Sequence, residues 1–120
     1  MVIEFDFQDG VCILRLRGRF ATGIDSAYLQ AKTDELKTTG CAKAIADFTA
    51  VPYIDSTGIG FLVSTYTSLT RAGGKFALAG LSPRVRHILE ITRILGVIPA
   101  YDDVASAVAA LKSEGAAGGV

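Results

Sequence analysis

Apolar and polar residues alternate strictly at the start of the chain. Over Val2–Gln8 an isoleucine and two phenylalanines share one face, and acidic residues and a glutamine share the other, which is typical of a half-buried strand. Asp9-Gly10 follows as a two-residue hairpin signal. The alternation then resumes over Val11–Arg17. The sequence therefore opens with a predicted antiparallel hairpin.

Beyond this hairpin, predicted helices alternate with strands. After a loop at Arg19–Gly23, the expected order is helix Asp25–Thr38, strand Ala42–Phe48, a helix ended by Ala72-Gly73-Gly74, strand Lys75–Ala79, a helix begun by Ser82-Pro83, the apolar pair Val97-Ile98, and a helix capped by Asp102 or Asp103. Such alternation implies parallel pairing through right-handed crossovers. We predict an α/β fold: one domain over residues 1–112, a mixed sheet of four or five strands, about four helices and a flexible tail over residues 113–120.

The central helix has an apolar stripe at helical spacing. Its predicted members are Ile59, Leu62, Val63, Tyr66 and either Leu69 or Thr70. Phe61 lies nearly opposite this stripe, so we expect it on the outer face. An aromatic side chain there suggests a partner contact, and the alternative is a single exposed aromatic without such a role.

The charge balance argues against nucleic acid and membranes as partners. The chain carries 12 basic and 12 acidic residues and a formal net charge of zero, so no bulk field attracts a polyanion or an anionic membrane. No apolar run is long enough to span a membrane, and the N-terminus does not resemble a signal peptide. We expect a cytoplasmic protein.

The two cysteines lack the spacing of metal ligands. With a single histidine, His87, in the chain, a Cys/His zinc site is nearly excluded. In a cytosolic protein Cys12 and Cys41 are expected to be reduced thiols that act as small apolar residues.

The most informative segment is Asp55–Gly60, at a predicted strand-to-helix junction. The hydroxyl of Ser56 would lie beside unpaired backbone N–H groups and the positive end of the helix dipole, which favour a phosphate. Gly58 and Gly60 would let another molecule approach the first turn closely. Taken alone, these residues favour a simpler interpretation, in which Asp55 or Ser56 caps the helix and the glycines permit a tight turn.

In its context, the segment closely resembles a known signature. Asp55–Gly60 follows a strand ending near Phe48, and Gly73-Gly74 follows the helix. This arrangement resembles the STAS signature of anti-anti-sigma factors, also called anti-sigma factor antagonists. Leu81–Val85 and Ile91–Ile94 are similar to two further segments of that family. The resemblance runs from about residue 2 to residue 112.

The resemblance implies a bacterial regulatory switch and not an enzyme. The unphosphorylated domain would bind an anti-sigma factor, a serine kinase of histidine-kinase-like fold, and so release a sigma factor. Phosphorylation of Ser56, with Thr57 as a secondary site, would end this binding, and a phosphatase would restore it. The kinase would supply the base, the Mg²⁺ and the phosphate clamp, so we expect no cofactor and no metal site in this chain. The implied partner contacts are Asp25, Asp55, Thr57, Gly58, Gly60 and Phe61.

Two residues depart from the family pattern. Ala21 stands where an acidic residue is usual, and either Asp25 substitutes for it or the partner-facing loop is rebuilt. Arg93 stands where the family usually has glycine. The sequence also leaves a weak homodimer open.

Other interpretations remain open at this stage. One is a STAS adaptor that binds a nucleotide, a lipid or a transporter component without being phosphorylated. Another is a small hydrolase with Ser56 as nucleophile, disfavoured because the sequence offers no base and no Gly-x-Ser-x-Gly elbow. A Mg²⁺ site at Asp47 and Asp55 is a minor alternative. Three arginines, Arg84, Arg86 and Arg93, could recognise an anion, but a solvated helix surface is the favoured interpretation.

Overall fold

The N-terminal hairpin is present as the sequence predicts. The computed structural model describes residues 2–18 and 26–118, with the backbone alone at Ser26 and residues 113–118. Strand β1 (Val2–Gln8) pairs antiparallel with β2 (Val11–Arg17). Asp9 and Gly10 have φ values of 52° and 79°. Two successive positive φ values characterise the type I′ turn, whose twist matches that of the strands it joins.

The remaining elements follow the predicted order. They are α1 (Ser26–Thr38), β3 (Lys43–Ala50), α2 (Ser56–Arg71), β4 (Lys75–Ala79), α3 (Pro83–Ile91), a 3₁₀ helix (Ile94–Gly96), β5 (Ala100–Tyr101) and α4 (Val104–Gly118). The last strand begins at Ala100, after the apolar pair Val97-Ile98 that was expected at this place in the order. The reason is that Ile98 N donates to Ile94 O at 2.8 Å, so this amide does not pair with β4, and the side chain of Ile98 packs in the core.

The sheet has the strand order β1-β2-β3-β4-β5. Pairing of β3 with β4 is parallel, which confirms the crossover predicted from the helix between them. The pairs β2–β3 and β4–β5 are parallel as well. The resulting α/β architecture agrees with the predicted mixed sheet and four helices.

The sheet separates two apolar layers. Successive strand residues point to opposite faces, so Leu14 and Ile13 of β2 enter different layers. On one face the strands pack against α1, α2 and α3, through side chains that include Leu36, Leu62 and Leu89. On the other face they pack against α4 through Ala107, Val108 and Leu111. Because β2 and β3 are covered on both faces, most of their residues are buried whichever face they point to.

The C-terminal helix continues beyond the predicted end of the domain. We place that end at residue 112, whereas α4 runs to Gly118, so the segment predicted as a tail is helical up to that residue. The position of the domain boundary stays a prediction. Within residues 2–18 and 26–118, no helix combines the length and apolar character that crossing a membrane requires.

The prediction of two reduced thiols was wrong. Cys12 and Cys41 form a disulfide, with their Cα atoms 6.1 Å apart, inside the range that such a bond spans. The parallel register places Cys12 opposite Ala44. Cys41 lies three residues before Ala44 in the chain, between α1 and β3, so the fold itself brings the two cysteines together.

Loss of this disulfide is expected to destabilise the domain by about 3 kcal/mol, because the bond closes a loop of 29 residues and restricts the unfolded chain. Cys41→Ser suits the test because Cys41 is only partly buried, whereas Cys12 is fully buried. Urea denaturation should show the same loss for the oxidised variant and for the wild type under a thiol reductant. Reductant should not destabilise the variant further. A wild type equally stable with and without reductant would contradict the prediction.

The two glycines after α2 have different structural roles. Gly73 has a φ of 82°, and a Cβ on it would meet nothing within 4 Å. A Cβ on Gly74 would instead overlap the carbonyl oxygen of Ala42, to which Lys75 N donates at 2.7 Å. Gly73 is therefore needed for its backbone conformation and Gly74 for the close approach of two chain segments.

This difference predicts unequal costs for two alanine substitutions. Gly74→Ala should reduce the free energy of unfolding by about 2–3 kcal/mol because the backbone must move apart. Gly73→Ala should reduce it by about 1 kcal/mol, the strain of a left-handed residue that carries a side chain. Chemical denaturation of both variants measures the two losses. Equal losses would contradict the assignment of separate roles.

Candidate functional site

The Asp55–Gly60 segment lies at the carboxyl ends of the parallel strands. β3 ends at Ala50 and leads into α2, and β4 ends at Ala79 and leads into α3. Because β3 and β4 are parallel neighbours, the N-termini of both helices lie at one edge of the sheet.

Asp55, and not Ser56, caps helix α2. Its backbone is extended, its Oδ1 accepts from Thr57 N at 2.9 Å, and its carbonyl oxygen accepts from Ile59 N at 3.0 Å. Ser56 is therefore the first residue of the helix, where its side chain is exposed. Its hydroxyl makes no side-chain hydrogen bond to any residue that the structure describes. The hydroxyl is thus accessible, and no capping bond depends on it.

The two motif glycines face opposite ways. Gly58 belongs to the buried face of α2, so it does not offer its backbone to a partner. Gly60 is exposed, and a Cβ built on it would meet nothing within 4 Å. Close approach of another molecule was expected at both glycines, and the structure leaves room for it at Gly60.

The expected exposure of Phe61 was wrong. Its side chain is 7% exposed and belongs to the core, whereas Val63, assigned to the apolar stripe, is 43% exposed. The buried stripe consists of Gly58, Phe61, Leu62, Thr65 and Leu69. Thr65 can be buried because its hydroxyl donates to Phe61 O at 2.8 Å, which satisfies its polar group.

The remaining predicted contacts are only partly described. Thr57 is half-buried, and its amide is bound by Asp55. Asp25 and Ala21 lie outside the described residues. Their proposed contribution to a partner-facing loop stays a prediction.

One contact near the motif, made by Arg84, was missed by sequence reasoning. The Arg84 guanidinium lies 5.1 Å from the ring centroid of Tyr53, within the range of a cation–π contact. Ser82 caps the same helix, since its Oγ accepts from Val85 N at 3.2 Å, as predicted. Arg84 thus connects the start of α3 with the segment before Asp55. No spacing in the sequence indicates this contact, because it joins two elements 31 positions apart.

Asp47 has a structural role at the end of β3. Its Oδ1 accepts from Thr49 N at 3.0 Å and from Thr49 Oγ1 at 2.6 Å, and its Oδ2 lies 3.6 Å from Arg15 Nη1. Arg15 also donates to Asp6 at 2.9 Å, a hydrogen bond that lowers the pKa of Asp6. Both oxygens of Asp47 are thus engaged. Within the described part of the chain, no group of three or more His, Cys, Asp or Glu side chains could hold a metal ion, so the Mg²⁺ alternative gains no support.

The sequence model of the STAS domain matches residues 2–107, which include every element from β1 to the first turn of α4. The chain belongs to the STAS domain family. The anti-sigma-B factor antagonist of Listeria monocytogenes is 35% identical over 83 residues, which cover 66% of this chain and 73% of that protein. The resemblance to the anti-sigma factor antagonist family that the sequence indicated is confirmed.

Solved structures show the same fold. The crystal structure of an anti-sigma factor antagonist from Mycobacterium paratuberculosis has a TM-score of 0.82 at 22% identity, covering 92% of this chain and 93% of that one. The phosphorylated form of the Bacillus cell fate determinant SpoIIAA has a TM-score of 0.65 at 17% identity, covering 88% and 96%. At such low sequence identities, these structural similarities support a shared STAS fold.

The fold accounts for one departure from the family pattern. Arg93 has a φ of 64°, in the left-handed region, where glycine is the favoured residue. A family glycine at this position therefore has a conformational reason. In this STAS domain arginine adopts the same conformation, between α3 and the 3₁₀ helix.

Proposed function

We propose that this STAS domain is an anti-sigma factor antagonist switched by phosphorylation of Ser56. Without the phosphate it binds an anti-sigma serine kinase of histidine-kinase-like fold in the cytoplasm, and a sigma factor is released. Phosphorylation by that kinase ends the binding, and a phosphatase restores it. The domain acts as a phosphoryl acceptor and does not itself catalyse a reaction.

The exposed Ser56 hydroxyl on the first turn of α2 is the observation that carries this proposal. Asp55 already caps the helix, so a phosphate on Ser56 need not replace any bond of the fold. The new group would carry about −1.5 to −2 charges, and the positive end of the helix dipole would favour them. The carboxylate of Asp55 would repel them, which favours an outward orientation toward the partner surface.

The partner must provide most of the chemistry of this transfer. An unactivated serine hydroxyl is a weak nucleophile, and Oδ1 of the neighbouring Asp55 accepts from Thr57 N. Phosphoryl transfer depends on positioning and on Mg²⁺ that neutralises the developing charge. The domain therefore needs to contribute an accessible serine next to a helix backbone that a partner can approach.

The direct test is phosphorylation of the purified chain by its kinase. The first kinase to try is a histidine-kinase-like anti-sigma protein encoded by a neighbouring gene. Incubation with ATP followed by mass spectrometry of the peptides should place one phosphate on Ser56. Thr57→Ala should accept it as the wild type does, and Ser56→Ala should not. A STAS adaptor without a phosphorylation switch would remain unmodified under these conditions.

Gly60→Ala should separate partner binding from stability. A methyl group there touches nothing within the described protein, and alanine in place of a helical glycine should stabilise α2 by about 1 kcal/mol. The same methyl would enter a kinase interface that approaches the backbone closely, where overpacking costs about 1–3 kcal/mol. Binding measured by calorimetry should therefore weaken while the melting temperature rises.

Gly96→Ala is the matched control for this substitution. A Cβ on Gly96 also meets nothing within 4 Å, but Gly96 lies in the 3₁₀ helix, outside the Asp55–Gly60 segment. This variant should bind the kinase as the wild type does. Unchanged binding by Gly60→Ala would remove Gly60 from the proposed interface.

A further inference from the structure

A cavity lies at the end of α2 that is remote from Ser56. It has a volume of about 230 Å³, is partly open to solvent, and is bounded by the last turns of α1 and α2 and by the segment that leads into β3. Ser68 of α2 is one of its lining residues. Residues 56 and 68 are roughly 18 Å apart along the helix, at 1.5 Å per residue. The cavity is therefore separate from the proposed phosphorylation site.

The size of the cavity limits what it can hold. An apolar cavity of about 150 Å³ in another protein holds benzene, which has six non-hydrogen atoms. Scaled by volume, this cavity has room for roughly nine such atoms. Its walls include the side chains of Leu36 and Leu69, together with Ala42 and Ala72. A small apolar molecule matches this lining.

Two buried hydroxyl groups give the cavity a preference for hydrogen-bond donors. Thr33 Oγ1 donates to Leu29 O at 3.0 Å, and Thr65 Oγ1 donates to Phe61 O at 2.8 Å. Both threonines line the cavity. Because each hydroxyl has already donated its hydrogen, its remaining capacity is that of an acceptor. A ligand with one N–H or O–H group is therefore favoured over one without a donor.

The charges around the cavity favour a neutral ligand. Among the described residues that line it, Lys37 is the one with a charge, and no described carboxylate forms an ion pair with it. Lys37 belongs to the last turn of α1, and the cavity is also lined by Ala72, the C-cap of α2. Each helix C-terminus carries about half a negative charge, so the two together offset the charge of Lys37. A carboxylate would gain little there.

We propose that this cavity binds a small neutral apolar molecule of roughly nine non-hydrogen atoms that carries one N–H or O–H donor, scaled from the benzene-sized case. Indole is a suitable probe because it has this size and one N–H. Benzofuran has the same shape without the donor, and benzoate has the same number of atoms with a negative charge. These three compounds test the donor and charge requirements separately.

The experiment is a titration of the ¹⁵N-labelled chain, followed by amide NMR shifts. Indole should give saturable shifts centred on Leu36, Cys41, Ser68 and Leu69. Benzofuran should bind about tenfold more weakly, the loss of one hydrogen bond of ordinary strength, and benzoate should leave these amides unshifted. The proposal is overturned if indole gives no saturable shifts there, or if benzofuran or benzoate binds as tightly as indole.

A pair of double variants tests the role of the hydroxyl groups. Thr33→Val with Thr65→Val removes the two buried acceptors and should strongly reduce the preference for indole over benzofuran, because the third hydroxyl of the lining, that of Ser68, is partly exposed. Thr38→Val with Thr67→Val removes two hydroxyls that donate to the residue four positions earlier in the same way but do not line the cavity. This control should keep the tenfold preference. Retention of the preference in the first variant would refute the acceptor role.

Neither result depends on the proposed kinase partner. All measurements use the chain alone, so failure of the switch at Ser56 would leave the ligand test intact. If the first double variant does not fold, the titrations of the wild type with the three ligands still show whether the cavity binds indole and whether it prefers a neutral donor.

Discussion

Replacing Phe61 with alanine should lower the free energy of unfolding by about 4 kcal/mol, as truncation of a fully packed aromatic side chain does. Phe61 is 7% exposed and packs in the layer between the sheet and the first three helices. A domain of this size is stable by about 5–15 kcal/mol. The loss is therefore a large part of the total and should lower the melting temperature by roughly 10–20 °C.

Val63→Ala is the matched control for Phe61→Ala. Val63 lies two residues further along α2 and is 43% exposed, so its truncation should change the stability by less than about 0.5 kcal/mol. Denaturation in urea measures both variants. A Phe61→Ala protein with an unchanged melting temperature and weakened kinase binding would restore the interpretation of Phe61 as a partner anchor and contradict its burial.

The sequence misassigned the buried face of α2 for a physical reason. The predicted stripe includes Val63 as an apolar residue and leaves out Thr65 as a polar one. It is therefore shifted by about one residue relative to the face of the helix that is buried in the structure. A threonine that bonds the carbonyl four residues earlier satisfies its own hydroxyl, as Thr65 does with Phe61 O. Hydrophobicity alone does not reveal such a bond. The glycines at positions 58 and 60 also leave Ile59 as the one apolar side chain among residues 56–60 to mark the face.

Elements marked by strong local signals were predicted well. The Asp9-Gly10 turn requires two residues that tolerate positive φ, and Ser82 with Pro83 marks a helix start by capping chemistry. Parallel pairing of β3 and β4 follows from the helix between them. In each case the signal lies in a few adjacent residues or in the alternation of elements.

Contacts between distant elements could not be predicted in the same way. The Cys12–Cys41 disulfide depends on the register of β2 against β3, which the sequence analysis did not assign. Once Cys12 is opposite Ala44, the proximity of Cys41 follows directly. The choice of Asp55 over Ser56 as helix cap was open for a similar reason, because both residue types cap well and only the backbone geometry decides between them.

Because Asp55 caps α2, the Ser56 hydroxyl is accessible. A substitution of Ser56 should therefore produce the second large effect, on kinase binding. On the proposed function, Ser56→Asp should abolish measurable kinase binding while the domain folds normally. An aspartate on the first helical turn is favoured by the helix dipole, and the cap formed by Asp55 is unaffected. In the complex, however, the new carboxylate would be buried without a partner and next to another carboxylate. Such a charge typically costs about 3–5 kcal/mol, a loss of more than a hundredfold in affinity.

Ser56→Asn is the control that isolates charge from size. Asparagine has almost the same shape as aspartate and carries no charge, so its binding should stay within about tenfold of the wild type, a difference of about 1.4 kcal/mol. Ser56→Ala should bind the kinase constitutively and accept no phosphate. Calorimetry with the purified kinase measures the four affinities, and circular dichroism checks that each variant is folded. If Ser56→Asp binds as tightly as the wild type, or if Ser56→Asn loses binding to the same extent, negative charge at this position is not the signal that ends the interaction.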